Sequence, residues 1–186
     1  MKNRGYTLVE TLLAVSIFFI LVAGPTGLFI LSLKNQNRAL GLRESVDNSS
    51  HALEYISRAL RMARKDVEGT CITAGSNYEN PGSVVSAIRF LNYQNFCQEF
   101  SLSGDRLQEK KSTDETSGNL PVSGTYFTPD DMEVTLAKFK LLGESQGDNI
   151  QPRVTMLFEI TKRNIPSFPR VKVQTSISQR NLDMGY

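Results

Sequence analysis

Residues 5–33 read GYTLVETLLAVSIFFILVAGPTGLFILSL, and beyond Glu10 the stretch carries no charge: residues 11–33 are 23 consecutive uncharged residues. About 20 apolar residues in a helix cross a hydrocarbon core of roughly 30 Å, so the run is long enough to be a membrane anchor. A secretory signal peptide has a shorter apolar region, about 7 to 15 residues, followed by a small-residue cleavage site. Here the run is longer, and the small residue placed like a processing point, Gly5, precedes it. Glu10 sits at the edge of the run, and a charge near a membrane centre costs on the order of 2.5 to 3.5 kcal/mol or more. No basic residue occurs in residues 11–33, so a partner for this carboxylate is expected from the chain's own amino terminus after processing, or from a neighbouring subunit.

Lys2, Arg4, Gly5, Tyr6, Thr7, Leu8 and Glu10, followed by the apolar run, resemble the class III leader and anchor of type IV pilins and type II secretion pseudopilins. Tyr6 stands where phenylalanine is commoner and keeps the aromatic ring. The resemblance implies that a prepilin peptidase cuts between Gly5 and Tyr6 and methylates the new Tyr6 amine. It also implies that Glu10 pairs with the Tyr6 amine of an adjacent subunit. The partners implied are the peptidase, other pilin or pseudopilin subunits, the inner-membrane assembly platform and membrane lipid. The implied location is the inner (cytoplasmic) membrane, crossed once with the head exported, and then a cell-surface or periplasmic filament. Lys2 and Arg4 before the span agree with that orientation, while Lys34 and Arg38 beyond it weaken the charge asymmetry. The other reading of the same residues is an ordinary signal anchor.

Within the span, Gly24, Pro25 and Gly27 are expected to break the helix. Pro25 has no amide hydrogen for the carbonyl of Leu21, and glycines lower helix preference, so a kink or locally melted turn is predicted. In type IV pili a similar region unwinds on packing into the filament; a static kink is the alternative for the isolated chain. After Leu33 the pattern becomes one-sided: Leu42, Val46, Ser49, Leu53, Ile56, Leu60, Ala63 and Val67 recur at spacings of 4 and 3, one face of a helix. One continuous helix from about Tyr6 to Val67 is therefore predicted, about 90 Å long at 1.5 Å per residue, with Gly69 as its stop. The basic cluster Arg58, Arg61, Arg64 and Lys65 is interleaved with acids and reads as a solvated face near the helix's C-terminal end, where the dipole favours cations.

From Cys71 onward the period is two. Strands are predicted over residues 87–93, 97–103, 106–111, 132–142, 152–162 and 170–178, with a turn at Ser103-Gly104-Asp105 and a polar surface loop over residues 112–123. Val134, Leu136, Phe139 and Leu141 set against Val154, Met156, Phe158 and Ile160 make two apolar faces, with a register break expected near Ala137. The division is thus a leader (1–5), a helix (6–67, its residues 11–33 transmembrane) and a β-rich head (68–186). The fold class is α+β and pilin-like, a long helix on an antiparallel meander.

The 186 residues allow one modest domain beyond the anchor. Cutting after Gly5 removes Lys2 and Arg4, leaving 19 of the 21 basic residues against 19 acidic ones. Nucleic-acid binding draws its non-specific affinity from surplus lysine and arginine, so bulk charge gives it no support and a nucleic-acid partner is not expected. Cys71 and Cys97 lie on the exported side and read either as a disulfide or as two buried free thiols. His51 is the single histidine and has no second imidazole or nearby cysteine pair for a transition-metal site. Asp130-Asp131 and Gly147-Asp148-Asn149 could supply oxygens to calcium, but neither has the spacing of a calcium loop. No cofactor is expected, and with no nucleophile elbow, phosphate loop or catalytic carboxylate pair the chain reads as a non-enzyme.

The leading function is a structural subunit, a minor pilin or pseudopilin of a type IV pilus or type II secretion filament; the head is bulkier than a simple repeating subunit requires. Residues 56–66 resemble the minor pseudopilins at a secretion filament's tip, and residues 174–181 resemble the C-terminal strand of minor pilins. A competence-type minor pilin would capture DNA on a basic surface from Lys110, Lys111, Lys138, Lys140, Lys162 and Arg163. A third class is a membrane-anchored binding domain that never polymerises.

Overall fold

A computed structural model describes residues 7–115, 118–144, 150–165 and 168–180. Among the described residues one α-helix, α1 (Leu8–Arg61), precedes seven strands: β1 (Ala87–Leu91), β2 (Cys97–Ser103), β3 (Arg106–Lys111), β4 (Thr125–Tyr126), β5 (Met132–Leu142), β6 (Arg153–Lys162) and β7 (Val171–Ser178). This is the α+β, pilin-like plan, a long N-terminal helix followed by antiparallel sheets. The chain forms two compact units, Met1–Gly41 and Leu42–Tyr186, and α1 contributes to both.

In the first unit residues 7–40 are all exposed. Three of its hydroxyls are nonetheless satisfied within the helix: Thr11 Oγ1 donates to the carbonyl of Leu8 at 2.8 Å, Ser16 Oγ to Leu12 at 2.8 Å and Thr26 Oγ1 to Val22 at 2.7 Å. Such back-bonding lets hydroxyls sit in an apolar surrounding without an unmet donor.

In the second unit Leu53, Ile56, Leu60 and Ala63 enter a core with Phe90, Phe100, Phe139 and Phe158. Burying each isoleucine or leucine fully contributes about 1.5 to 3 kcal/mol. The predicted stripe is wider than the buried one. Leu42 is 36% and Val46 42% exposed, because the sheets cover only the later turns of this segment, and Val67 is 74% exposed because it is no longer helical.

The helix ends at Arg61 rather than near Val67, although Met62, Arg64 and Lys65 are good helix formers. Tertiary contacts outweigh that preference. The Arg64 N–H donates to the Leu91 carbonyl at 2.8 Å and the Asp66 N–H to Ser76 at 3.0 Å, drawing the chain into bridges beside β1. The last four carbonyls of α1, which have no intrahelical donor, all find one. The Met62 N–H serves Arg58 (3.3 Å) and Ala59 (3.2 Å), the Ala63 N–H (3.2 Å) and Tyr78 hydroxyl (2.7 Å) serve Leu60, and the Arg180 N–H serves Arg61 (2.9 Å). Gly69, expected as the helix stop, has φ 75° but lies in the loop that follows.

The strands form two antiparallel sheets, β1-β2-β3-β4 and β5-β6-β7, instead of one meander. The division arises because the loop after β3 folds back and β4 takes β3's free edge, pairing Tyr126 with Gln108 and Thr125 with Glu109. Gly124 permits this return: a Cβ there would lie 2.5 Å from the Glu109 carbonyl oxygen. With that edge occupied, β5 pairs forward with β6 and meets the first sheet through isolated bonds, Val134 N–H to Asp105 O at 2.8 Å and Phe139 N–H to Val85 O at 2.7 Å. The loop over residues 112–123 is also less superficial than expected, since Leu120 packs on Cys71, Ile72, Leu91 and Cys97.

Strand β5 carries its register shift between Val134 and Leu136, ahead of the expected position near Ala137. The extra residue moves every later side chain by one place. Ala137 and Phe139 therefore face the core and Leu136 is only half-buried, while the opposing Val154, Met156, Phe158 and Ile160 are buried as the alternation requires.

Leu60 and Arg58 lie on opposite sides of this packing. Leu60→Asp places an unpaired charge at a position with 0% exposure, a cost of several kcal/mol against a total stability of about 5 to 15. Arg58→Asp acts on an exposed pair with Glu54 at 2.8 Å and should cost less than about 1 kcal/mol. Thermal melts of the full chain in detergent, followed by circular dichroism, should show the first variant melting far below wild type and the second within a few degrees of it.

Candidate functional site

The expected processing pair, Gly5 and Tyr6, lies outside the described residues. The first described turns show how the segment beyond it is built. Thr7 precedes α1 as its N-cap: its carbonyl accepts from the N–H of Glu10 at 3.1 Å and of Thr11 at 3.2 Å, and its Oγ1 accepts from Glu10 N–H at 3.3 Å. Thr7-Leu8-Val9-Glu10 has the Thr-x-x-Glu spacing of a capping box, a signal present in the sequence but absent from the reading above. Glu10 thereby occupies the third helical position, where the positive pole of the helix favours a carboxylate. Its side chain is exposed and has no partner among the described residues.

Gly24, Pro25 and Gly27 do not break the helix into separate pieces; all three are helical, and α1 is continuous across them. Proline removes one donor, from the Leu21 carbonyl. The next carbonyl, that of Val22, receives the hydroxyl of Thr26 at 2.7 Å. No heavy atom would contact a Cβ at Gly24 or Gly27 within 4 Å, beyond the helix's own backbone and the adjacent residues.

In the head, Cys71 and Cys97 are joined in a disulfide across a separation of 26 residues, with Cα atoms 5.3 Å apart. The loop leading into Cys71 is organised by Asp66, one of the unnamed acids interleaved with the basic cluster in the sequence. Its carboxylate is 1% exposed and accepts main-chain N–H groups from Gly69 (2.8 Å), Thr70 (3.2 Å), Cys71 (2.7 Å) and Ile72 (3.0 Å). Burial alone would raise its pKa, but these donors together outweigh it and hold the carboxyl below its usual range. The aspartate three residues before Gly69 was the available signal for such a turn. Glu159 is likewise held low, first by Lys172 and then by Arg170, which bond its two oxygens at 3.1 and 3.0 Å.

Among the described residues, no group of three His, Cys, Asp or Glu side chains is placed to hold a metal. His51 is exposed. Asp130 pairs with Arg106, and Asp131 lies 3.5 Å from Lys162, so cations already face both carboxylates. Residues 147–149, the other calcium candidate, lie outside the described residues. The six cations considered for DNA are dispersed. Lys110 and Lys111 are on β3 of one sheet, and Lys138 and Lys140 are on β5 of the other. Lys162 bonds Glu44 at 2.8 Å and Arg163 bonds Asp105 at 2.6 Å.

Residues 1–24 match the family model described as the prokaryotic N-terminal methylation motif. The match supports a type IV pilin-like subunit, processed by a prepilin peptidase and assembled with other pilins. The adjoining helix is long and apolar enough to cross a membrane. Comparison with curated proteins and with solved structures found no match.

Because Asp66 is held below the ordinary carboxylate pKa of about 3.9, its stabilisation is complete above that value and is lost as pH falls through the lower folded-state value. Asp66→Asn replaces an accepting oxygen by a donor and orphans buried N–H groups, at a cost of about 1 to 3 kcal/mol. Amide hydrogen exchange should show the protection of Cys71 and Ile72 falling accordingly. The acid limb of stability should also flatten, with Glu159 supplying the slope that remains. Unchanged protection at both amides would exclude this role for Asp66.

Proposed function

We propose that the chain is a structural subunit of a type IV pilin-like filament, cut between Gly5 and Tyr6, methylated on the Tyr6 amine and assembled through α1. One observation carries this reading. The methylation motif over residues 1–24 runs directly into a helix whose residues 8–40 are all exposed. So continuous an apolar surface is unstable in water and needs lipid or other helices around it. Lipid suits the subunit before assembly, and neighbouring helices suit it afterwards.

In this reading Glu10 is the assembly residue. It is exposed, and among the described residues nothing partners its carboxylate. A methylated Tyr6 amine on an adjacent subunit supplies the missing cation, and the pair is strengthened by the low dielectric of a helix bundle. The α-helical state of Gly24, Pro25 and Gly27 is then the form before assembly. Within this class we favour a minor subunit: the seven strands in two sheets among the described residues make a head larger than helical repetition alone requires. The same size suits a minor pseudopilin of type II secretion or a minor pilin. Its role is structural rather than enzymatic.

Mass spectrometry of the protein from its native membrane should find an N-terminus at Tyr6 bearing one methyl group, and Gly5→Ala should slow or block the cut. An N-terminus still at Met1 would refute the processing reading. Glu10→Ala should remain in the membrane fraction, since it removes a charge that is costly in lipid, but should be depleted at least about tenfold from sheared filaments, the effect of roughly 1.4 kcal/mol of lost pairing. Equal incorporation of variant and wild type would remove Glu10 from the assembly contact.

A further inference from the structure

Where the last turn of α1 meets the end of β7, an open cleft of about 520 Å³ is lined by Arg58, Arg61, Met62, Ser178 and Arg180. Its two sides are held together by two hydrogen bonds to main-chain carbonyls. The Arg180 N–H donates to the Arg61 carbonyl at 2.9 Å, and buried Gln179 donates through Nε2 to the Ala63 carbonyl at 2.8 Å. The guanidinium groups thus project from a fixed frame.

Cations at the C-terminal end of a helix are usually accounted for by the dipole and by capping of its last carbonyls. Here those carbonyls already have donors in Met62, Ala63, Tyr78 and Arg180, the last through its main chain. The arginine side chains are not spent on them. Arg58 pairs with Glu54 at 2.8 Å, whereas the side chains of Arg61 and Arg180 have no ion pair or hydrogen bond among the described residues. Among the described residues, three guanidinium groups and one carboxylate around a single cleft leave a positive surplus.

We propose that this cleft binds a carboxylate-bearing peptide segment of a protein partner, with acidic side chains received by Arg61 and Arg180. A planar guanidinium presents paired donors that match a carboxylate bidentately. The Ser178 hydroxyl supplies a further donor, and half-exposed Met62 gives the methylenes of an acidic side chain an apolar wall. A nucleic acid fits less well, because its backbone needs a continued track of cations. The adjoining groove, which shares Arg58 and Met62, carries Lys111 but also Glu109, and Glu54 sits on Arg58, so acids interrupt any track of cations leading from the cleft. The proposal is independent of the filament reading.

Fluorescence anisotropy of a labelled hexaglutamate peptide against the full chain in non-ionic micelles tests it. Wild type should bind saturably, and R61A/R180A, which removes neither the Arg180 N–H bond to Arg61 nor the Gln179 side-chain bond to Ala63, should weaken binding at least about tenfold. K138A/K140A removes the same charge from the exposed face of β5 and should leave binding unchanged. R61E/R180E should take up hexalysine in place of hexaglutamate. The proposal is overturned if hexaglutamate does not bind, if R61A/R180A binds like wild type, or if K138A/K140A loses as much affinity. It is also overturned if a single-stranded oligonucleotide of equal charge displaces the peptide at lower concentration than unlabelled peptide does.

Discussion

A helix that ends inside a folded head leaves carbonyls that no residue of the helix can satisfy, and buried carbonyls without donors are costly. The end of α1 meets this requirement with groups from three parts of the chain. Met62 and Ala63 turn back locally, Tyr78 reaches in from the loop before β1, and Arg180 arrives from beyond β7. Gln179 adds a bond to the Ala63 carbonyl just past the helix. The head therefore closes on itself at this point. The loop that carries Tyr78 is in turn held by the Asp66 carboxylate and by the disulfide between Cys71 and Cys97. Burial raises the pKa of the Tyr78 hydroxyl, which keeps it a neutral donor to Leu60.

The start of α1 presents the opposite situation. Its residues 8–40 are exposed and mostly apolar, so the segment is suited to surroundings other than water. Its polar groups are arranged consistently with that. Thr7 caps the first turn, Glu10 stands at the positive pole, and Thr11, Ser16 and Thr26 return their hydroxyl hydrogens to the helix. A carboxylate at the head of such a helix is favoured locally by the dipole.

Much of the head was legible in its residue pattern. Strands β2, β3 and β5 have the predicted bounds, and β1, β6 and β7 are shorter by one or two residues at one end. Alternation is a strong signal wherever one face of a strand is buried, as Val154, Met156, Phe158 and Ile160 show. Strand β4 was not legible. Two residues carry no period, and Thr125 and Tyr126 pair only because Gly124 brings the chain against Glu109.

The sequence by itself determined the apolar helix, the motif before it, the amphipathic segment that follows and the class of the head. All of these rest on residue type and on local repetition over neighbouring positions. Only the tertiary structure decided where the helix stops, that the strands divide into two sheets, and that Ala137 rather than Leu136 faces the core. Each of these outcomes depends on a donor, an edge or an inserted residue that is paired with something distant in the chain. Met62, Arg64 and Lys65 would continue a helix on their own preference. They do not, because Leu91, Tyr78 and Arg180 offer partners whose positions exist only once the chain has folded.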